Sequence, residues 1–120
     1  MSKEPISKIY LILEKIDYIE RVVANAGTIT DALAEVSTFR PAILMHLTSI
    51  AEQFEKLRKS QNQALLESFE SQDIKGMWDV RNYIAHDYEG VNLAIIEWVI
   101  RHVLPKFKKQ CEMLIAVDAL

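Results

Sequence analysis

Helical periodicity runs through almost the whole of this chain, and little interrupts it. Its 120 residues include only three glycines and three prolines. Apolar residues recur at three- and four-residue spacings, which line one side of an α-helix, and rarely alternate as they would in a strand. Ile6, Ile9, Leu13, Ile16 and the pair Tyr18–Ile19 form one stripe, beginning after Pro5 and running to about Ala26, with Gly27 as the stop. Ile43, Leu44, Leu47, Ile50, Ala51, Phe54 and Leu57 form a second, opened by Thr38 and Pro41. Between them, "TITDALAEV" predicts a short turn or helix.

Farther on, "RKSQNQALLESFESQD" is polar with a small apolar island, which predicts a loop holding a short helix. Asp73 is placed to cap a third long helix with Met77, Val80 and Ile84 on its inner side and Gly90 as its breaker. Asn92 is placed to cap the last, which carries Leu93, Ile96, Val99 and Ile100 until Pro105 kinks or interrupts it, and continues through "KFKKQCEMLIAV". No internal repeat, low-complexity tract or linker divides the chain. The pattern predicts an all-α fold, a bundle of four to five helices in one domain over 1–120.

Half the residues are hydrophobic, enough for one core at this size without covalent staples. Cys111 is the single cysteine; an internal disulfide is excluded, and a reducing cytoplasmic setting is the expectation. The start, "MSKEPISKIY", lacks the apolar region and small-residue site of a signal peptide. No run of about 18 uncharged apolar residues predicts a membrane span. The net charge is −3, so any contact with nucleic acid must come from a local basic patch or from surface pooled between subunits.

Chemistry concentrates in "RNYIAHDYEG", residues 81–90. Arg81 carries a rigid fork of donors suited to a phosphate and its pentavalent transition state. His86 supplies an imidazole, the side chain best suited to moving a proton on or off an oxygen. Tyr88 can stack on a base or donate its hydroxyl. Such a set, without a metal constellation, fits RNA cleavage, where the 2′-hydroxyl of the substrate is itself the nucleophile. Geometry leaves three routes open. On an unbroken helix Arg81 and His86 point roughly 140° apart. A helix ending near His86 would instead let His86 and Tyr88 project together. A second subunit would supply the missing group in a composite site.

The wider segment "KGMWDVRNYIAHDYEGVNLAIIEWVIRHVLPKF", residues 75–107, resembles the HepT-like branch of the HEPN superfamily, the toxin partners of minimal nucleotidyltransferases. "DVRNYIAHDYEGV", the hydrophobic "NLAIIEWVI" and the following "LP" carry the likeness, and "IYLILEKIDYIERV" and "SIAEQFEKL" fall where that family has its first two helices. The second-helix pattern I-G-E-A of the family reads Ile50-Ala51-Glu52-Gln53 here. The resemblance implies a homodimeric helical bundle with the motifs at the dimer interface, acting as a metal-independent, cofactor-free endoribonuclease of a type VII toxin–antitoxin pair. By that resemblance Arg81 and His86 match the catalytic pair, Asn82 the polar residue after the arginine, and Tyr88 the motif tyrosine. Asn82 and Tyr88 are then substrate-binding residues. Tyr88 is also the residue to which a cognate nucleotidyltransferase antitoxin would attach AMP, adding negative phosphate and bulk where RNA must lie.

Plainer readings stand beside these. The motif would be a helix end with Arg81 paired to Asp79 or Asp87 and His86 exposed, or the whole chain a non-catalytic module that binds a nucleotide or docks a nucleotidyltransferase. Glu52 would face the cleft or only solvent. His46 and His102 read as ordinary histidines, Trp78 and Trp98 as core or interface aromatics, and Lys106, Lys108 and Lys109 as a solvated helix face that would otherwise guide RNA. The three histidines and Cys111 sit at no metal-ligand spacing, and Cys111 with Leu114 belongs to an apolar stripe.

Overall fold

A computed structural model describes residues 4–60 and 62–120; Gln61, inside the predicted loop, lies outside the described residues. The elements are all helical: α1 Glu4–Ala26, α2 Ile29–Ala34, α3 Phe39–Lys59, α4 Gln63–Leu66, α5 Ser71–His86, α6 Leu93–Trp98, a π-helical turn Val99–Val103, and α7 Leu104–Asp118. No strand occurs among the described residues. The last three pieces run on as one continuous helix, so four long helices with two short ones, α2 and α4, make the bundle.

Each boundary has a local cause. Gly27 takes φ 106°, a left-handed conformation suited to a residue without Cβ, and its N–H reaches the Val23 carbonyl at 2.9 Å. Thr28 caps α2 by accepting from the Asp31 N–H at 3.0 Å, and Asn92 caps α6 by accepting from Ala94 N–H at 3.0 Å. Thr38 precedes α3 but its side chain caps nothing. Glu35 does that work, with one carboxylate oxygen accepting from the N–H groups of Thr38 and Phe39, both at 2.8 Å. These bonds, led by the one from the Ser37 hydroxyl, hold the Glu35 carboxyl down at about 2.

Asp73 is not the cap of α5. The helix starts at Ser71, two residues earlier, and the Asp73 carboxylate instead meets Lys106 of α7 at 2.7 Å. Pro105 does not break its helix either. It has no N–H for the Arg101 carbonyl and its ring would crowd that group. The chain widens into the π turn just before it, in which the Leu104 N–H bonds back to Val99.

α3 lies at the centre, packed mainly against α1 and α5, and α7 packs against α1. The seven residues of its expected stripe are all buried, as are Met77, Val80 and Ile84 of α5. Along α1 the deep positions are Ile9, Ile12, Ile16 and Ile19, with Ile6 and Leu13 at the margin. Phe54 ties three elements together, its ring centroid 5.0 Å from Phe69 and 4.9 Å from Phe107. Burial of such side chains contributes about 1.5–3 kcal/mol each. Cys111 is fully buried in this core, and burial pushes its thiol up to about 12. No described helix is long and apolar enough to cross a membrane.

Candidate active site

α5 presents the motif, and its burial pattern decides which way each residue faces. Because Met77, Val80 and Ile84 point into the core, Arg81 falls on the flank beside α3, while Ala85 and His86 are exposed. The helix continues through His86. Arg81 and His86 therefore diverge by roughly 140°, as an unbroken helix requires. Tyr88 lies two residues past the helix end and is exposed.

The turn that carries Tyr88 is built by Asp87. Its carboxylate accepts from the Gly90 N–H at 3.0 Å, and a Cβ on Gly90 would lie 2.1 Å from an Asp87 oxygen. A side chain at 90 would therefore push the Asp87 carboxylate out of this position. The expected role of Gly90 as the breaker of α5 is not the observed one, since the helix has already ended four residues earlier.

Arg81 pairs with neither Asp79 nor Asp87. Asp79 meets Lys75 at 3.3 Å, and Asp87 is used in its own turn. The guanidinium instead reaches across to α3, where Nη2 stands 3.8 Å from the Glu52 carboxylate. Its Nη1 donates to Asn82 Oδ1 at 3.4 Å, and its Cζ lies 5.0 Å from the centroid of the Trp78 ring. Nε is buried without a hydrogen-bond partner among the described residues. These are long or absent contacts for a group with five donors, so the guanidinium is oriented by its neighbours but left with donors to spare. Beside it opens a cleft of about 350 Å³ lined by Glu52, Glu55, Lys56, Lys59, Trp78 and Arg81.

Sequence reading named Glu52 and Trp78 without joining them to Arg81, and passed over Lys56 and Lys59. The signal was present: Glu52, Lys56 and Lys59 stand at i, i+4 and i+7 on one face of α3. The departure at Gln53 falls on the core side of the same helix, where the residue is buried with its Oε1 unpartnered among the described residues.

The other candidates lie elsewhere. His46 packs on Tyr18 of α1 with ring centroids 5.2 Å apart, and burial, then the charge of Lys15, hold its pKa below the usual value. His102 is exposed and lies against Trp98. In the basic cluster of α7, Lys106 is held by Asp73 and Glu70 and Lys108 by Glu20, which raise the pKa of both. Among the described residues no three side chains of His, Cys, Asp or Glu gather as a metal site.

Comparison with known proteins gives this arrangement its setting. A family model described as ribonuclease HepT-like matches residues 12–114. The chain belongs to the HepT-like ribonuclease family. The match takes in α3, α5 and the π turn, and hence Arg81, Asn82, His86 and Tyr88 together with the Glu52 cleft. No curated protein and no solved structure matches the chain. The helical bundle is the HEPN-like architecture expected of a HepT-like chain.

Proposed function

We propose that this protein is a metal-independent endoribonuclease whose active site is completed by dimerisation. The observation that carries the reading is the exposed, incompletely satisfied motif of a HepT-like ribonuclease: Arg81 with donors free beside a cleft, and His86 and Tyr88 open to solvent one helical turn and a short loop away.

In this reading Arg81 binds the non-bridging oxygens of the scissile phosphate and stabilises the charge that grows on them. His86 takes the proton from the 2′-hydroxyl, whose oxygen forms a bond to phosphorus as the bond to the 5′-oxygen breaks. The leaving oxygen accepts a proton from a second acid, and the products carry a 2′,3′-cyclic phosphate and a 5′-hydroxyl. Asn82 and Tyr88 hold the substrate. Since Arg81 and His86 of one chain diverge, the pair that acts on one phosphate comes from two protomers. Tyr83, Ile95 and Trp98, all large, apolar and exposed along the groove between α5 and α6, support a partner surface on that side. A dimer of two net-acidic chains would pool its cations in the shared cleft.

Regulation of the same site is proposed from the HepT-like resemblance. Tyr88 is exposed on a turn beside His86, where a nucleotidyltransferase antitoxin would transfer AMP from ATP to the hydroxyl oxygen, with loss of its proton and release of pyrophosphate, and so block RNA by charge and bulk. The test is to incubate purified, unmodified protein with RNA in the presence of chelator and to map the ends produced. Cyclic phosphate at the new 3′ ends supports the reading. Silence from unmodified protein on transfer and messenger RNA alike would favour a non-catalytic partner of a nucleotidyltransferase.

A further inference from the structure

The cleft beside Arg81 has features that catalysis by Arg81 and His86 does not use. Lys56 and Lys59 stand on its α3 wall, both exposed, and neither makes an ion pair among the described residues. Two of the three lysines of α7 contrast with them, since Glu70, Asp73 and Glu20 already engage Lys106 and Lys108. Of the two carboxylates in the cleft, Glu55 is occupied by Arg58, whose Nε donates to it at 3.0 Å. With Arg58 counted, four cations (Lys56, Arg58, Lys59 and Arg81) face the two carboxylates Glu52 and Glu55, the latter also feeling the charge of Lys59, and Glu52 stands 3.8 Å from Arg81. The cleft is thus a locally positive trough in a chain of net charge −3, floored by the half-buried Trp78.

The geometry points to this trough as the track of the RNA strand, in which Lys56 and Lys59 bind a phosphate adjacent to the one held by Arg81. This rests on the ribonuclease reading above and adds a substrate-binding subsite on α3. The lysines lie three residues apart, hence on one face about one turn from each other, and flexible ammonium groups serve as point charges for a backbone whose sequence they do not read. Such contacts would position RNA by its phosphates and leave base choice to other groups.

The test uses a dye-labelled RNA with every 2′-hydroxyl methylated, which binds but cannot react, and follows its anisotropy across a salt series. Full-length wild type is compared with a Lys56→Ala, Lys59→Ala double variant and with Lys75→Ala, an exposed lysine outside the trough. Both trough lysines are exposed, so thermal unfolding of the double variant should match wild type. The expected result is binding weakened about tenfold or more at low salt, with the slope of log affinity against log salt reduced by about 0.7 for each phosphate no longer neutralised. Lys75→Ala should behave as wild type. Equal affinity and slope in wild type and double variant would overturn the track, as would wild type that does not bind RNA at all. Parallel cleavage of unmethylated RNA separates the two levels. Cleavage with lysine-independent binding removes the track alone, whereas lysine-dependent binding without cleavage keeps the track and removes the ribonuclease reading.

Discussion

The guanidinium of Arg81 rests over the indole of Trp78, Cζ 5.0 Å from the ring centroid, with the Glu52 carboxylate 3.8 Å from Nη2. In the proposed mechanism Trp78 is a positioning residue, holding the Arg81 guanidinium without meeting the reacting atoms. A cation–π contact is worth about 0.5–2 kcal/mol, or roughly two- to thirty-fold in rate. Trp78→Leu should lower kcat/KM within that range through kcat more than KM, and Trp78→Phe should recover part of it. The pH profile of cleavage should stay in place, a result that a general loss of folding would not produce.

Divergence of Arg81 and His86 on one helix has its own consequence. If each site takes its arginine from one protomer and its histidine from the other, Arg81→Ala and His86→Ala proteins, each inactive alone, should complement when mixed and allowed to exchange subunits. Random pairing makes half the dimers mixed, with one intact site of two in each, so about a quarter of wild-type activity should return. No recovery after demonstrated exchange would place both residues of a site in the same chain.

Glu35 links stability to pH. Its folded-state carboxyl lies at about 2 against 4.5 for the free group. A lowered carboxylate stabilises the fold fully above the unfolded value and loses that contribution as pH falls through the folded one. Glu35→Gln should therefore unfold at lower temperature than wild type at neutral pH. The gap should narrow as pH drops from 4.5 towards about 2, as thermal melts in a pH series would show; a constant gap would mean that the carboxylate charge is not what caps α3.

The core offers two further checks. Phe54→Ala removes the ring that joins α3 to Phe69 and Phe107 and should cost about 3–5 kcal/mol in denaturant unfolding. Cys111, with its thiol pushed up to about 12 by burial, should resist maleimide in the folded protein and react only as the chain unfolds globally.

The fold was legible because burial repeats with helical period. Every residue of the expected α3 stripe is buried, and Gly27 and Asn92 act as their local chemistry predicts. What sequence reading missed depends on contacts distant along the chain. Asp73 resembles a cap by position, yet Lys106 on α7 claims its carboxylate. Glu35 is an uncommon capping residue, and only the tight turn after α2 aims it at the N–H groups of α3. Arg81 had acidic neighbours on its own helix, but its partner Glu52 and the lysines beyond it sit on a different one. The motif supplied the residues proposed to carry the chemistry; the packing of α5 on α3 shows what surrounds them.

The central claim is that His86 takes part in metal-independent RNA cleavage, and it is tested most directly by cleavage rates of unmodified wild type and His86→Ala, side by side in chelator. The prediction is cleavage by wild type and a loss of about 10²–10⁴-fold in the variant, with both proteins melting alike. Equal rates from the two would contradict it.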